Sequence, residues 1–127
     1  MRLKKNHPLT IKEEYMKIYK NITLILFIIS NTANAGSQTG KVSTLYARAS
    51  DNLHLVTLTG GTAKTDSPTC ATKGYWLIRD ENSIAGKSQF SQLLAAKMAG
   101  KTVTISGLNS CIRWGDGEDI NTIIIKD

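Results

Sequence analysis

From residue 41 onward the chain alternates polar and apolar positions, and the period of that alternation becomes helical for one stretch before returning. KVSTLYARA (41–49) sets Val42, Thr44 and Tyr46 against Ser43, Leu45 and Ala47, the two-residue period of a strand. After the turn cluster Ser50-Asp51-Asn52, LHLVTLT (53–59) is dense in β-branched and aliphatic residues and predicts a second strand, hairpinned to the first. GGTAKTDSPTCATK (60–73) reads as a long polar loop, and YWLI (75–78) as a short third strand. In SQFSQLLAAKMAG the period becomes helical, with Phe90, Leu93, Leu94 and Met98 on one face. Ser88 is placed to cap that helix, and Gly100 to end it in a left-handed conformation. Lys97 and Lys101 lie where the helix dipole favours cations. TVTISG (102–107) returns to strict alternation, with Val103 and Ile105 on one side. EDINTIIIK (118–126) predicts a last strand, Ile120, Thr122 and Ile124 on one face and Ile123 and Ile125 on the other. Gly36 to Gly40 is small and polar, the composition of a loose N-terminal arm.

The order β-β-β-α-β-β predicts a mainly β fold: a small five-stranded OB-fold-like barrel with one α-helix between strands 3 and 4. An α+β sheet with one face covered by the same helix is the alternative.

The pattern before residue 36 is of another kind. From Met16 the chain reads MKIYKNITLILFIISNTANA: two lysines, an apolar run from Ile22 to Ile29 broken only by Thr23, then Ala33-Asn34-Ala35. This is the layout of a secretory signal peptide, with cleavage expected before Gly36. The apolar run falls short of the roughly 20 residues of a transmembrane helix, which sets aside an uncleaved anchor. Residues 1–15 fit poorly ahead of such a leader, so either Met1 or Met16 can be the start. The expected organisation is therefore 1–35, extension and signal peptide, and 36–127, a single domain secreted or held in a bacterial periplasm.

Removing the leader changes the electrostatics. The whole chain is +6, but residues 1–35 hold six Lys/Arg and two acids. The remaining 92 residues carry ten Lys/Arg and eight acids, scattered without a basic run, which takes away the case for nucleic acid. Two cysteines, Cys70 and Cys111, remain in this small exported domain, and an oxidising compartment favours their pairing. The closed loop would contribute about 3–4 kcal/mol in the chain-entropy model. The rival reading, a reactive thiol, would want a histidine partner, and residues 36–127 hold only His54.

Candidate chemistry is sparse. The sequence contains no HExxH, no CxxC pair, no G-x-S-x-G and no P-loop, so no catalytic residue, metal ligand or cofactor is expected. CIRWGDGEDI (111–120) gathers Asp116, Glu118 and Asp119, but the run is too short for an EF-hand loop. Gly115-Asp116-Gly117 reads as a hairpin turn with glycine supplying positive φ, and Glu118 and Asp119 as gatekeepers against aggregation of INTIII. The aromatic residues offer more. Trp76 and Phe90 suit a core, whereas Arg113 and Trp114, in a loop, and Tyr75 are candidates for ligand binding by stacking or by filling a partner's pocket.

The series Cys70, Trp76, Ser88, Phe90, Leu93, Ala96, Gly100, Val103 and Ile105 resembles the B subunits of subtilase cytotoxin and of pertussis-like AB5 toxins. The resemblance covers about 40% of residues 36–127. It implies an exported OB-fold subunit that assembles as a ring pentamer, binds sialylated cell-surface glycans and carries an enzymatic A subunit. Those subunits usually hold more than one disulfide, and their sugar-contacting residues do not map onto positions here. The expected function is a non-enzymatic binding module of this kind. The alternative is a monomeric periplasmic or secreted accessory protein that binds another protein.

Overall fold

The computed structural model describes residues 15–17 and 34–127. The chain divides into two units, Met1–Thr32 and Ala33–Asp127; all that follows concerns the second. The expected leader lies almost entirely outside the described residues.

Five strands, β1 (Ser37–Ala47), β2 (His54–Thr59), β3 (Trp76–Leu77), β4 (Thr102–Gly107) and β5 (Glu118–Lys126), close into a barrel in the order β1-β2-β3-β5-β4. One helix, α1 (Ile84–Ala99), lies between β3 and β4. This is the OB-fold-like barrel expected from the element order. All pairings are antiparallel except β3 with β5, which run parallel through Trp76↔Glu118 and Leu77↔Asp119.

β1 begins earlier than its alternation suggests. Residues 37–41, read as part of a loose arm and its edge, pair with β4, and residues 41–47 pair with β2. The register slips between Val42 and Thr44, leaving Ser43 as an extra residue. Such a bulge bends a strand, which suits one that serves two neighbours around a barrel. It also flips the side-chain parity, so that Val42 and Leu45 both reach the core instead of opposite faces. A second slip, between Ser106 and Gly107, leaves Asn121 unpaired on β5 and turns both Ile120 and Ile123 inward.

The core is built from Val42, Val56, Trp76, Ile78, Leu93, Ala96, Val103, Ile105, Ile120 and Ile123. Trp76 is fully buried, and its indole N–H donates to Gln38 Oε1 at 2.9 Å.

α1 starts one turn before the sequence pattern suggests. Its N-cap is Ser83, whose hydroxyl accepts from Gly86 N at 2.9 Å, and Ser88 sits inside the helix. Gly100 ends it at φ 63°, as expected. The buried stripe is Gly86, Leu93 and Ala96, with Phe90 half-buried beside it. Leu94 and Met98 fall on the outer side, Met98 being 80% exposed. At its C-terminal end Lys97 Nζ donates to the carbonyl of the bulge residue Ser43 at 2.8 Å, which locks the helix to β1.

Candidate functional site

Two loops meet at one edge of the barrel: the β1–β2 loop (residues 48–53) and the β4–β5 loop (residues 108–117). The second is held from below by a buried carboxylate. Asp119, fully buried, accepts from Ser110 Oγ at 2.8 Å, Ile112 N at 2.8 Å and Arg113 N at 3.1 Å, and its own N–H donates to Ser110 O at 2.8 Å. Arg79 Nη1 lies 3.6 Å from the same carboxylate. The loop that carries Arg113 and Trp114 is thus folded around one charge.

A covalent bond and a second set of hydrogen bonds hold the loop from its other side. Cys70 and Cys111 form a disulfide, Cα to Cα 6.2 Å. Lys73 N donates to Asp116 O at 2.9 Å, and the Tyr75 hydroxyl donates to Asp116 Oδ1. Burial, with Asp116 adding to it, pushes the Tyr75 phenol up to about 12. The turn closes through Gly117 N to Trp114 O at 3.3 Å. Neither Gly115 nor Gly117 takes positive φ, contrary to the expectation from the motif. Gly117 is required for space, because a Cβ there would run into Leu77 and Tyr75.

Arg113 joins the two loops. Its Nε donates to both oxygens of Glu81 at 2.9 Å, and its Nη2 donates to Asp51 O at 2.7 Å. Glu81 Oε1 also accepts from His54 N at 3.1 Å. Trp114 is 40% exposed, with the Arg48 guanidinium 4.9 Å from its ring centroid. Arg48 in turn donates from Nε to Asp51 Oδ1 at 2.8 Å. These bonds from Arg48 hold the Asp51 carboxyl down at about 2, and the pairing raises the arginine. The two residues expected to act as an exposed pair therefore divide: Trp114 presents its ring, and Arg113 is a half-buried strut.

Between the loops lies a polar cleft of about 430 Å³, lined by Asp51, Asn52, Arg79, Asp80, Glu81 and Arg113, among others. The Arg79 side chain is 40% exposed there, and among the described residues its ion-pair partner is Asp119, at 3.6 Å, without a hydrogen bond. Its donors are free for a ligand. A smaller cavity of about 230 Å³ lies between β2 and α1, where His54 stacks edge-on against Phe90 at 4.7 Å.

The three acids of the 111–120 stretch do not converge. Asp116 serves Tyr75, Asp119 shapes the loop, and Glu118 faces Gly36, Asn109 and Lys64 on the other side of β5. Glu118 and Asp119 are both wholly buried, so they are not the exposed gatekeepers expected from the sequence. The opposite-facing pair follows from the two-residue period of a strand. Among the described residues no group of three His, Cys, Asp or Glu side chains could hold a metal ion.

All five residues singled out by sequence, Cys70, Tyr75, Cys111, Arg113 and Trp114, are on the β4–β5 loop or fastened to it. Arg48, Asp51, Arg79 and Glu81 complete the site and were not anticipated. RDEN (79–82), four polar residues in a row before a helix, was the available signal. No family model, curated protein or solved structure matches the chain.

Proposed function

We propose that the chain is an exported, non-enzymatic binding module resembling the B subunit of an AB5 toxin, and that it takes a cell-surface glycan in the cleft between the β1–β2 and β4–β5 loops. The observation that carries this reading is the cleft itself. OB-folds bind oligosaccharides and oligonucleotides at these loops, and here both are pinned by Arg113, Asp119 and the disulfide before any ligand arrives. Preorganised walls reduce the ordering cost of binding. Trp114, propped by Arg48, offers a ring to a sugar face. Arg79 offers unpaired donors to hydroxyls or to a sugar carboxylate, and Tyr75 braces the loop through Asp116. The small, scattered charge of residues 36–127 argues against nucleic acid as the ligand.

Secretion or residence in a periplasm accords with the disulfide, and no helix among the described residues is long and apolar enough to cross a membrane. Assembly with further copies, as the pentamer that receives an enzymatic A subunit, accords with Ile84 and Met98 exposed on α1 and Ile124 and Ile125 on β5. A second reading, a monomeric accessory protein that binds another protein, is favoured by Ile112, 68% exposed on the same loop as Trp114.

Glycan-array binding together with light scattering after gel filtration tests the proposal. The expected result is an oligomer that captures glycans, with Trp114→Ala reducing capture at least about tenfold, the scale of one stacked aromatic contact, at an unchanged melting temperature. A monomer that binds no glycan would sink it.

A further inference from the structure

Gly36 is the first residue after the expected leader, and it is not part of a loose arm. Asn34 and Ala35 are exposed, whereas Gly36 is buried. Its N–H donates to Glu118 Oε1 at 2.9 Å, and its carbonyl accepts from Gly107 N at 2.8 Å. The same oxygen of Glu118 accepts from Asn109 N at 3.2 Å. The other oxygen, Oε2, has no hydrogen bond, although the side chain is completely buried. Lys64 Nζ lies 3.5 Å from it, 3.7 Å from the centroid of the Trp76 ring, and also lacks a hydrogen-bond partner. Burial draws the Lys64 ammonium below its ordinary range, with Glu118 opposing. The interior therefore holds a carboxylate with unfilled acceptor capacity and a lysine beside it that donates no hydrogen bond to it.

Two glycines make room for that carboxylate. A Cβ at Gly36 would run into Oε2, and one at Gly107 into Oε1. A glycine at 36 thus allows its nitrogen to come within hydrogen-bonding distance of a buried anion.

We propose that Glu118 is a receptor for the α-ammonium group that processing creates on Gly36, so that the mature N-terminus becomes part of the barrel as a buried ion pair. This rests on the export reading above. A signal peptidase hydrolyses the Ala35–Gly36 bond with one water: the carboxylate stays on Ala35, and the Gly36 nitrogen, keeping its electron pair, becomes –NH3+ at neutral pH. One neutral N–H donor is thereby replaced by three donors and a full positive charge next to the anion. Charge-assisted hydrogen bonds are roughly twice as strong as neutral ones. Because Gly36 is buried in the closed barrel, the cut precedes closure, and processing at this bond then favours the folded state. A cut one residue later would remove the Gly36 nitrogen that Glu118 now contacts.

The test uses the full chain exported from a bacterial cell. Mass spectrometry of the exported protein is expected to show Gly36 as the first residue; another first residue would overturn the processing on which the inference rests. A second chain carries Gly-Ser inserted between Ala35 and Gly36, so that the peptidase leaves Gly36 with an amide nitrogen. Its melting temperature is expected to fall by about 4–8 °C, the response of a domain this size to the loss of one such interaction. In the Glu118→Gln background the same insertion should produce a much smaller fall. An equal fall in both backgrounds, or none in either, would overturn the docking while leaving the export reading intact. If Glu118→Gln does not fold, an amine-reactive ester decides the question on the other two proteins. It should label the inserted N-terminus at least about tenfold faster at neutral pH than the buried, paired Gly36; equal rates would overturn the docking.

Discussion

Asp119 illustrates how much a single buried charge can organise. It accepts from one hydroxyl and two backbone N–H groups and faces Arg79, and of these partners Ile112, Arg113 and Arg79 line the candidate cleft. Removing it leaves those donors without an acceptor, and each buried polar group so stranded costs about 1–3 kcal/mol. Asp119→Ala is therefore expected to lower the urea midpoint of the domain sharply. Ser110→Ala, which removes one donor to the carboxylate, should cost about 1.5–3 kcal/mol. None of this could be read from GEDINT. The identity of a buried acid in a strand is visible in sequence, but its burial is decided by long-range pairing, here Leu77↔Asp119 and Trp76↔Glu118. The pairing of Cys70 with Cys111 was legible because the count of cysteines, with the compartment expected from the leader, points to it independently of geometry.

At the scale of elements, the strand and helix inventory follows from period and composition, and the errors lie where a local feature shifts the phase. The helical pattern begins at Ser88 when read from SQFSQLLAAKMAG, which leaves IAGK out. Gly86 is in fact the point where the first turn of α1 packs onto the backbone at Asp80, too close for a Cβ. The buried stripe keeps Leu93 and Phe90 of the expected face and takes Gly86 and Ala96 in place of Leu94 and Met98. Ser83→Ala should lower stability by about 1 kcal/mol, the usual cost of an N-cap. Ser88→Ala should leave it within about 0.5 kcal/mol. Equal effects on thermal unfolding would contradict this assignment of the cap. The bulges at Ser43 and Asn121 act likewise, since one unpaired residue reverses every side chain beyond it. Period-2 reading places Ile120 and Ile123 on opposite faces for that reason.

For the molecule as a whole, the disulfide links the loop before β3 to the loop before β5, and so spans the parallel seam of the barrel. That seam rests on two residue pairs, against five or six for β1–β2, β1–β4 and β4–β5. Reduction should lower the stability of the domain by about 3–4 kcal/mol, read as the shift of the denaturation midpoint with and without reductant. A shift under about 1 kcal/mol would mean that the tie adds little to chain closure.

Trp76–Leu77 is only two residues long, and its brevity has a topological consequence. Detaching it converts a ring with no free edge into a ribbon ordered β2-β1-β4-β5, whose two outer strands offer unpaired amides to any neighbouring chain. The sulfur bridge would then serve as protection against strand exchange between molecules.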